Sequence, residues 1–212
     1  MARSSGRVAA TVTRMPRSPE PARRRLLDAA LELFATNGIS STSLREIRLA
    51  AGQRNAGALQ YHFGDKDGLL RALLERELPL LVDRRRALLE VATDAPSIAA
   101  VYIAPFAELA TGTARERWVV QFLSQLHDDP SLSLDDISAL IGDTGAAAAS
   151  ELLRPHLGQL PPEIVNERVR VGLTAYLHAC AMRARGHRSE EVDAEQFRRN
   201  ITTMFLAALL AP

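Results

Sequence analysis

Apolar residues recur at spacings of three and four along almost the whole chain after residue 20, and this spacing constrains the fold more than any other feature. It places apolar side chains on one side of an α-helix. The alternation of apolar and polar residues that is typical of half-buried strands is absent. The sequence therefore predicts an all-α fold in which amphipathic helices pack around a shared core.

The start and stop signals of the first three predicted helices lie close together. The first helix is expected to begin near Pro19 and to stop at Gly38, because Asn-Gly favours a left-handed C-terminal cap. A short second helix follows Ser43, which opens the capping-box sequence Ser-Leu-Arg-Glu. Asn55 is the predicted N-cap of a third helix that ends near Tyr61. Three short helices joined by tight turns are typical of a helix-turn-helix unit.

Longer helices follow this unit. A fourth helix is predicted from Asp65 to about Val91, and prolines separate the helices after it. Glycines at 142 and 145 are expected to kink or split one of these helices. The later helices are predicted at 97–111, 113–127, 133–156, 162–185 and 193–210.

The last two predicted helices, 162–185 and 193–210, are apolar around more of their circumference than one neighbour can cover. One side of each helix can pack on its own subunit and the other side on a second copy. We therefore expect a two-fold homodimer built through these two helices.

Charge is distributed unevenly along the chain. Residues 1–62 hold ten basic and four acidic residues, a net charge of +6, whereas the rest of the chain carries −5. A basic head on an acidic body indicates that only the head contacts a polyanion. We expect a disordered basic arm at 1–18, a helix-turn-helix DNA-binding domain at 19–66, and a helical domain for ligand binding and dimerisation at 67–212.

The sequence contains few features that are typical of an enzyme. The motifs GxGxxG, GxxxxGK[ST], HExxH and GxSxG are absent. His127-Asp128-Asp129 is the nearest approach to a metal or acid-base cluster, but adjacent loop residues rarely converge on one ion. We expect no catalytic residue, no metal and no cofactor. A C-terminal domain that is an enzyme, or an interaction module that needs no ligand, remains the alternative interpretation.

Residues 23–76 resemble the DNA-binding domain of the TetR family of bacterial transcription regulators. The matching features are an AAxxLF helix, the turn at Gly38, the pair Ala51-Gly52, and the run Tyr61-His62-Phe63 followed by Lys66. The turn before the third helix is one residue longer than is usual in the family, and Gln60 stands where tyrosine is frequent. The resemblance implies a homodimeric repressor that leaves an inverted-repeat DNA operator when a small apolar ligand binds.

The expected location is the bacterial cytoplasm, with no membrane partner. No apolar run approaches the roughly 18 residues that a membrane span needs. The single cysteine, Cys180, fits a reducing compartment. Residues 1–18 lack the apolar core of a secretory signal; their Arg- and Ser-rich composition fits a basic DNA-binding arm or an organelle transit peptide.

The third helix and the turn before it carry small and polar residues where a DNA groove would face them. Asn and Gln can bond adenine in a bidentate way and Arg can bond guanine, each pair contributing about 1–3 kcal/mol of discrimination. Phosphate contacts are expected at helix N-termini. For several of these residues, a solvated surface or a core position is the alternative interpretation. The predicted DNA-binding residues are Thr42, Ser43, Arg54, Asn55, Ala56, Gly57, Gln60, Tyr61, His62 and Lys66.

Aromatic and histidine side chains of the C-terminal part are candidates for a ligand pocket, with plain core packing as the alternative. Trp118 and Phe122 lie one helical turn apart and share a face. The run Arg84-Arg85-Arg86 in the fourth helix is interpreted as a solvated face. The predicted ligand-binding residues are Tyr102, Phe106, Trp118, Phe122, His127 and His178.

Overall fold

A computed structural model of the chain describes residues 19–128, 144–158, 160–186 and 192–211. Within these residues the fold consists of α-helices and one short 3-10 helix, without strands, which confirms the all-α prediction. The basic arm predicted at 1–18 lies outside the described residues. The helices are α1 (Pro19–Asn37), α2 (Leu44–Ala50), α3 (Ala58–Phe63), α4 (Lys66–Val91), α5 (Ala95–Ala110), α6 (Ala114–His127), α7 (Ala146–Leu153), the 3-10 helix Arg154–His156, α8 (Pro162–Ala184) and α9 (Ala194–Leu209).

Most helices begin where the sequence places a capping side chain. Asp65 and Asp193 accept hydrogen bonds from backbone amides in the first turns of α4 and α9, each at 2.8 Å. Of the helix predicted at 133–156, residues 133–143 lie outside the described residues. The described part begins α7 after Gly145, whose φ of 76° is left-handed and therefore favours glycine.

The N-cap of the third helix lies two residues later than predicted, at Gly57 instead of Asn55. The Asn55 side-chain oxygen accepts a hydrogen bond from the Gly57 amide at 3.0 Å and closes a turn ahead of the helix. Gly57 is the N-cap of α3 and has no side chain with which to cap it. The prediction of Asn55 as N-cap was wrong because the same oxygen stabilises the preceding turn instead.

α5 is the central helix of the body. It packs against α4, α6, α7, α8 and α9, and most of its side chains are buried. α1 packs against α2, α4 and α6, so the apolar core continues from the first helices into the body. The rings of Phe34 on α1 and Phe122 on α6 stack at a centroid distance of 6.2 Å where these two parts meet. None of the described helices is long and apolar enough to cross a membrane.

The junction of α3 and α4 leaves no room for a side chain at Gly68. A Cβ atom placed there would lie 1.9 Å from the carbonyl oxygen of Phe63. Real Cβ atoms do not approach that closely, so only glycine lets the first turn of α4 pack against the end of α3.

The three consecutive arginines of α4 do not form a solvated face. Arg86 is exposed and pairs with Asp83 at 3.2 Å, whereas Arg84 pairs with Glu116 on α6 at 2.6 Å. Arg85 is only 4% exposed. The interpretation of this run as a solvated face was wrong for Arg85, because α4 packs against α5 and turns this residue into the core.

Candidate nucleic-acid interface

α3 presents one side to the core and the other to solvent. Ala58 and Leu59 are buried, whereas Gln60 is exposed and Tyr61 is 79% exposed. The Tyr61 ring lies edge-on to His62, with ring centroids 5.0 Å apart. The buried Ala58 and Leu59 therefore fix α3 to the core, while Gln60 and Tyr61 point into solvent.

The turn before α3 is also open to solvent. Arg54, Asn55, Ala56 and Gly57 are all exposed. Gly57 has a φ of −82°, which any residue adopts, and a Cβ atom there would meet only the Asn55 side-chain oxygen, at 3.6 Å. The fold therefore does not require glycine at position 57. Because Gly57 has no side chain, the backbone there is accessible to solvent.

Arg48 on α2 fixes this turn, a role that the sequence analysis missed. One guanidinium nitrogen donates to the carbonyl oxygen of Gln53 at 2.7 Å and contacts that of Arg54 at 3.4 Å. These carbonyls lie beyond the end of α2 and have no helical partner of their own. An arginine three residues before an Ala-Gly-Gln turn is not a distinctive sequence pattern, so only the folded backbone reveals this contact.

Thr42 is buried, whereas Ser43 is exposed and is the N-cap of α2. Thr42 is 2% exposed, and its hydroxyl donates to the carbonyl oxygen of Gly38 at 2.7 Å. The Ser43 hydroxyl donates to Glu46 at 2.7 Å, and the Ser43 amide donates to the same carboxylate at 2.8 Å. These hydrogen bonds lower the pKa of Glu46. The burial of the Thr42 hydroxyl is incompatible with its predicted phosphate contact in this conformation.

The Lys66 side chain also makes hydrogen bonds within the protein. Its ammonium donates to the carbonyl oxygens of Ile39 at 2.5 Å and of Thr42 at 3.0 Å, and lies 5.8 Å from the centre of the Phe34 ring. These contacts tie the start of α4 to the α1–α2 turn. In this conformation Lys66 is a positioning residue, and its predicted phosphate contact would have to use the one ammonium proton that remains.

One glutamine of the body holds the end of α1. The Gln125 side chain on α6 accepts a hydrogen bond from the Ile39 amide at 3.1 Å and donates to the Ala35 carbonyl oxygen at 3.0 Å. The Gln125 side chain thereby satisfies one backbone amide and one backbone carbonyl at the C-terminal end of α1. This link is the most direct polar connection between α6 and the helix-turn-helix, and the sequence alone gives no signal for it.

A buried carboxylate adds a second connection. Glu77 on α4 is 5% exposed and accepts hydrogen bonds from Arg76 and from Arg115 on α6, each at 2.6 Å. Arg76 also pairs with Asp28 on α1 at 2.7 Å. The ion pairs therefore join α1, α4 and α6 at the level where the first helices meet the body.

The six predicted ligand-binding residues do not come together. Phe122 is fully buried against α1, and Tyr102 packs on Phe205 of α9 with centroids 5.7 Å apart. Phe106 lies under the Arg85 guanidinium at 5.2 Å. Trp118 is half-buried and lines a groove of about 320 Å³ between α1, α6 and the end of α8. A single pocket lined by all six side chains is incompatible with this arrangement.

The two histidines lie near the contact of α6 with α8. The imidazole of His127 is hydrogen-bonded to the Thr174 hydroxyl at 2.7 Å and is half-buried. His178 is 52% exposed in its side chain and lies 3.9 Å from Asp128. The alternative interpretation of His178 as a core residue is wrong, because its side chain is half exposed on α8.

These features define an all-helical protein with an N-terminal helix-turn-helix. The family description "Bacterial regulatory proteins, tetR family" matches residues 26–73, which span α1 to the first part of α4. The match covers 48 of the 212 residues and assigns the helix-turn-helix part of the chain to this family.

Named relatives agree with this assignment. The regulator AcrR of Shigella flexneri is 49% identical over 53 residues, covering 25% of this chain and 24% of AcrR. BetI of Burkholderia mallei is 33% identical over 115 residues, 52% of this chain and 57% of BetI. The matches therefore span between a quarter and somewhat over half of the relatives' length.

The similarity of fold extends further than the similarity of sequence. One structure of similar fold is the crystal structure of the transcriptional regulator FadR from Bacillus subtilis in complex with stearoyl-CoA. The aligned region covers 87% of this chain and 98% of the FadR chain. Its TM-score is 0.64 at 14% identity, which supports a common fold. AcrR, BetI and FadR are all named as regulators, and none of these three is named as an enzyme.

Proposed function

We propose that this protein is a DNA-binding transcription regulator that reads duplex DNA with α3 and the turn before it. The observation that carries the proposal is the continuous exposed surface formed by residues 54–57, Gln60 and Tyr61 on an element anchored from behind by Ala58 and Leu59. An α-helix fits the major groove of B-DNA. Family membership supports the same interpretation.

The polar side chains of this surface can form specific hydrogen bonds with DNA bases. Gln60 and Asn55 can bond adenine, and Arg54 can bond guanine. We assign Tyr61 and His62 to phosphate contacts, and we propose that Ala56 and Gly57 let the backbone come near the groove. We retain 19–66 as the DNA-binding domain and 67–212 as the domain for ligand binding and dimerisation.

We further propose that the active form is a two-fold dimer. Ile164, Val171 and Met182 on α8 are 42%, 51% and 41% exposed, and Met204 on α9 is 48% exposed. The three α8 positions are separated by seven and eleven residues, which brings them to one face of a helix. A second copy that covers this stripe would bury its apolar side chains and would place two copies of α3 on one side of DNA.

The operator of such a dimer is an inverted repeat. Half-sites of helix-turn-helix dimers lie about 34–36 Å apart or a multiple of that distance. We propose repression as the mode of action, with release when a small molecule binds the 97–180 region. The description of FadR with bound stearoyl-CoA supports a ligand site in a body of this fold. Such a ligand must prefer the conformation that misfits the operator, because only a difference in affinity shifts the equilibrium.

The DNA proposal is tested by selecting bound sequences from random duplexes and measuring affinity for the enriched site at several salt concentrations. Wild-type protein should enrich an inverted repeat and lose affinity steeply with salt. Gln60→Ala should relax preference at one position of each half-site. Gln196→Ala on α9, which also removes an exposed glutamine, is the matched control and should change nothing. Failure to enrich any sequence would contradict DNA reading.

The dimer proposal is tested by light scattering. Val171→Glu places a charge within the exposed stripe of α8 and should give monomers with weakened operator affinity. Asn166→Glu adds the same charge on the opposite side of α8 and should remain dimeric. Wild-type protein that is monomeric at micromolar concentration would contradict the proposal.

A further inference from the structure

The groove that Trp118 lines continues past the end of α8. Its volume is about 320 Å³, and a second groove of about 350 Å³ shares three lining residues with it, among them Arg117 and Arg185. The two adjoin and form one furrow, here called the α6–α8 groove, from Thr36 near the end of α1 to Ala194 at the start of α9. Small-molecule sites have volumes of about 300–1,000 Å³, so each part of this groove is large enough for a small ligand.

Positively charged side chains line this groove. They are Arg117, Arg183 and Arg185, and none of the described lining residues is acidic. Arg185 is exposed, and its guanidinium makes no hydrogen bond or ion pair with a described residue. Arg117 donates to the Gly112 carbonyl oxygen at 2.8 Å and has no carboxylate partner within the described part of the chain. The groove therefore attracts an anion.

The acids closest to the groove in sequence do not neutralise these arginines. Three acids are sequence neighbours of lining residues, and each is engaged elsewhere: Glu116 pairs with Arg84, Glu195 pairs with Arg198, and Asp193 caps α9. The positive charge of the groove is thus available to a ligand.

The first part of the groove also holds polar groups without a partner. Gln121 on α6 is 5% exposed, and its side-chain amide makes no hydrogen bond with any residue that the structure describes. The indole N–H of the half-buried Trp118 likewise has no described acceptor. Buried amides in proteins are normally hydrogen-bonded. A buried amide that lines a groove and has no protein partner is therefore suited to a ligand.

The dipole of α8 accounts for only part of this arrangement. α8 ends at Ala184, and cations near a helix C-terminus are favourable, so Arg183 and Arg185 could serve α8 alone. This role does not explain why a glutamine is buried without a partner beside the only tryptophan of the chain. A ligand that combines a negative charge with a ring accounts for all of these side chains together.

We infer that the α6–α8 groove binds the effector, and that the effector is a small aromatic carboxylate. The inference rests on the proposed ligand-controlled function and specifies the site and the chemistry of its ligand. The Arg185 guanidinium pairs with the carboxylate, because arginine and carboxylate form charge-assisted, often bidentate hydrogen bonds. The Trp118 indole packs on the aromatic ring, and the Gln121 amide donates to an oxygen of the ligand.

The position of the groove also links it to DNA. Trp118, Gln121 and Gln125 are spaced by three and four residues and therefore share one face of α6. Gln125 holds the end of α1 through the Ala35 carbonyl oxygen at 3.0 Å, and Thr36 of the groove is the next residue of α1. A ligand in the groove thus acts on the contact of α6 with α1 that positions the helix-turn-helix. Carboxylate binding should therefore change operator affinity.

The test uses the full chain with four probes of similar size. They are sodium 4-isopropylbenzoate, its neutral amide 4-isopropylbenzamide, the cation 4-isopropylbenzylammonium and the non-aromatic anion 4-isopropylcyclohexanecarboxylate. Sodium 2-naphthoate is a second aromatic carboxylate of different shape. Binding is measured by calorimetry and by the fluorescence of Trp118, which is the only tryptophan and therefore reports on the groove. Operator release is measured by fluorescence anisotropy on the enriched site.

Three variants test the side chains. Arg185→Met removes the unpaired cation, and Gln121→Met replaces the amide by a side chain of similar size. Arg86→Met is the matched control, because Arg86 is an exposed arginine outside the groove.

At least one aromatic carboxylate should change Trp118 fluorescence and release the operator, and the neutral, cationic and non-aromatic probes should bind at least about tenfold more weakly. Arg185→Met should weaken carboxylate binding by about 5- to 30-fold, since the groove is partly open to solvent and the pair is screened. Gln121→Met should weaken it by about 3- to 10-fold. Arg86→Met should behave as wild type. The Tm of unliganded Arg185→Met and Gln121→Met should stay level, because neither change removes a hydrogen bond within the protein.

Three results would overturn the inference: neither aromatic carboxylate binds, the amide binds as tightly as its acid, or Arg185→Met and Gln121→Met both keep full carboxylate affinity. A sharp fall of Tm in either unliganded variant would also overturn it, because that side chain would then serve the fold. Carboxylate binding that leaves operator affinity unchanged would exclude the effector role. Operator binding by the unliganded wild type is measured in the same series. If that binding is intact while the carboxylates fail, only the ligand inference falls; if it is absent, the proposed function itself falls.

Discussion

Replacement of Lys66 by methionine separates a structural role from a DNA contact. The substitution keeps most of the apolar stem and removes the ammonium that donates to the Ile39 and Thr42 carbonyl oxygens at 2.5 and 3.0 Å. Hydrogen bonds to charged groups contribute about 1.5–3 kcal/mol, and the two bonds share one donor group, so we expect a loss of about 2–4 kcal/mol in the free energy of unfolding. For a chain of this size, that corresponds to a fall in Tm of about 5–15 °C.

The assay is thermal unfolding by circular dichroism together with operator affinity as a function of salt. Arg45→Met, which removes an exposed cation from α2, is the control and should leave Tm unchanged. Lys66 is the only lysine of the chain, so an amine-reactive reagent can modify only this side chain and the N-terminal amine, and peptide mapping follows Lys66, with slow modification expected in the folded state. An unchanged Tm in Lys66→Met, with a salt slope reduced by about one phosphate contact, would refute the structural role.

Further predictions concern the connections of the helix-turn-helix. Gln125→Ala should lower the free energy of unfolding by about 1–3 kcal/mol in urea titrations, because the Ile39 amide loses its partner; no change would exclude this link. Gly68→Ala should sharply lower Tm, since its Cβ atom would lie 1.9 Å from a carbonyl oxygen, whereas Gly57→Ala should leave Tm unchanged but weaken DNA binding; equal Tm values in the two variants would contradict this contrast. The Thr113 amide and the Arg84 side chain hold the pKa of Glu116 below its ordinary value of 4.5, so its stabilising contribution is present above that pH and is lost as pH falls through the lower folded value. The stability difference between wild type and Glu116→Gln should therefore shrink below about pH 4.5, and a difference that is constant from pH 7 to 3 would contradict the assignment.

Local patterns in the sequence were sufficient for the secondary structure. Caps at Ser43, Asp65 and Asp193 mark helix starts because their partners lie within three residues along the chain. The third helix was misplaced for the same local reason, since Asn55 can cap a helix or close a turn, and both hydrogen bonds reach only a few residues. The all-α fold followed because helical periodicity depends on near neighbours in sequence.

The roles of single side chains depended on contacts that no local pattern contains. Lys66 was predicted to face DNA and Arg85 to face solvent, because a sequence shows that a residue is charged but not which helices enclose it. The partners of Lys66 lie 24 and 27 residues away, and those of Gln125 lie 86 and 90 residues away. The sequence by itself determined the helices, the family and the basic head, all of which depend on neighbours or on composition. Which polar groups are buried was decided only by the packing of α4 and α6 against the first helices and against α5, because burial is set by residues that are distant in the chain and adjacent in space.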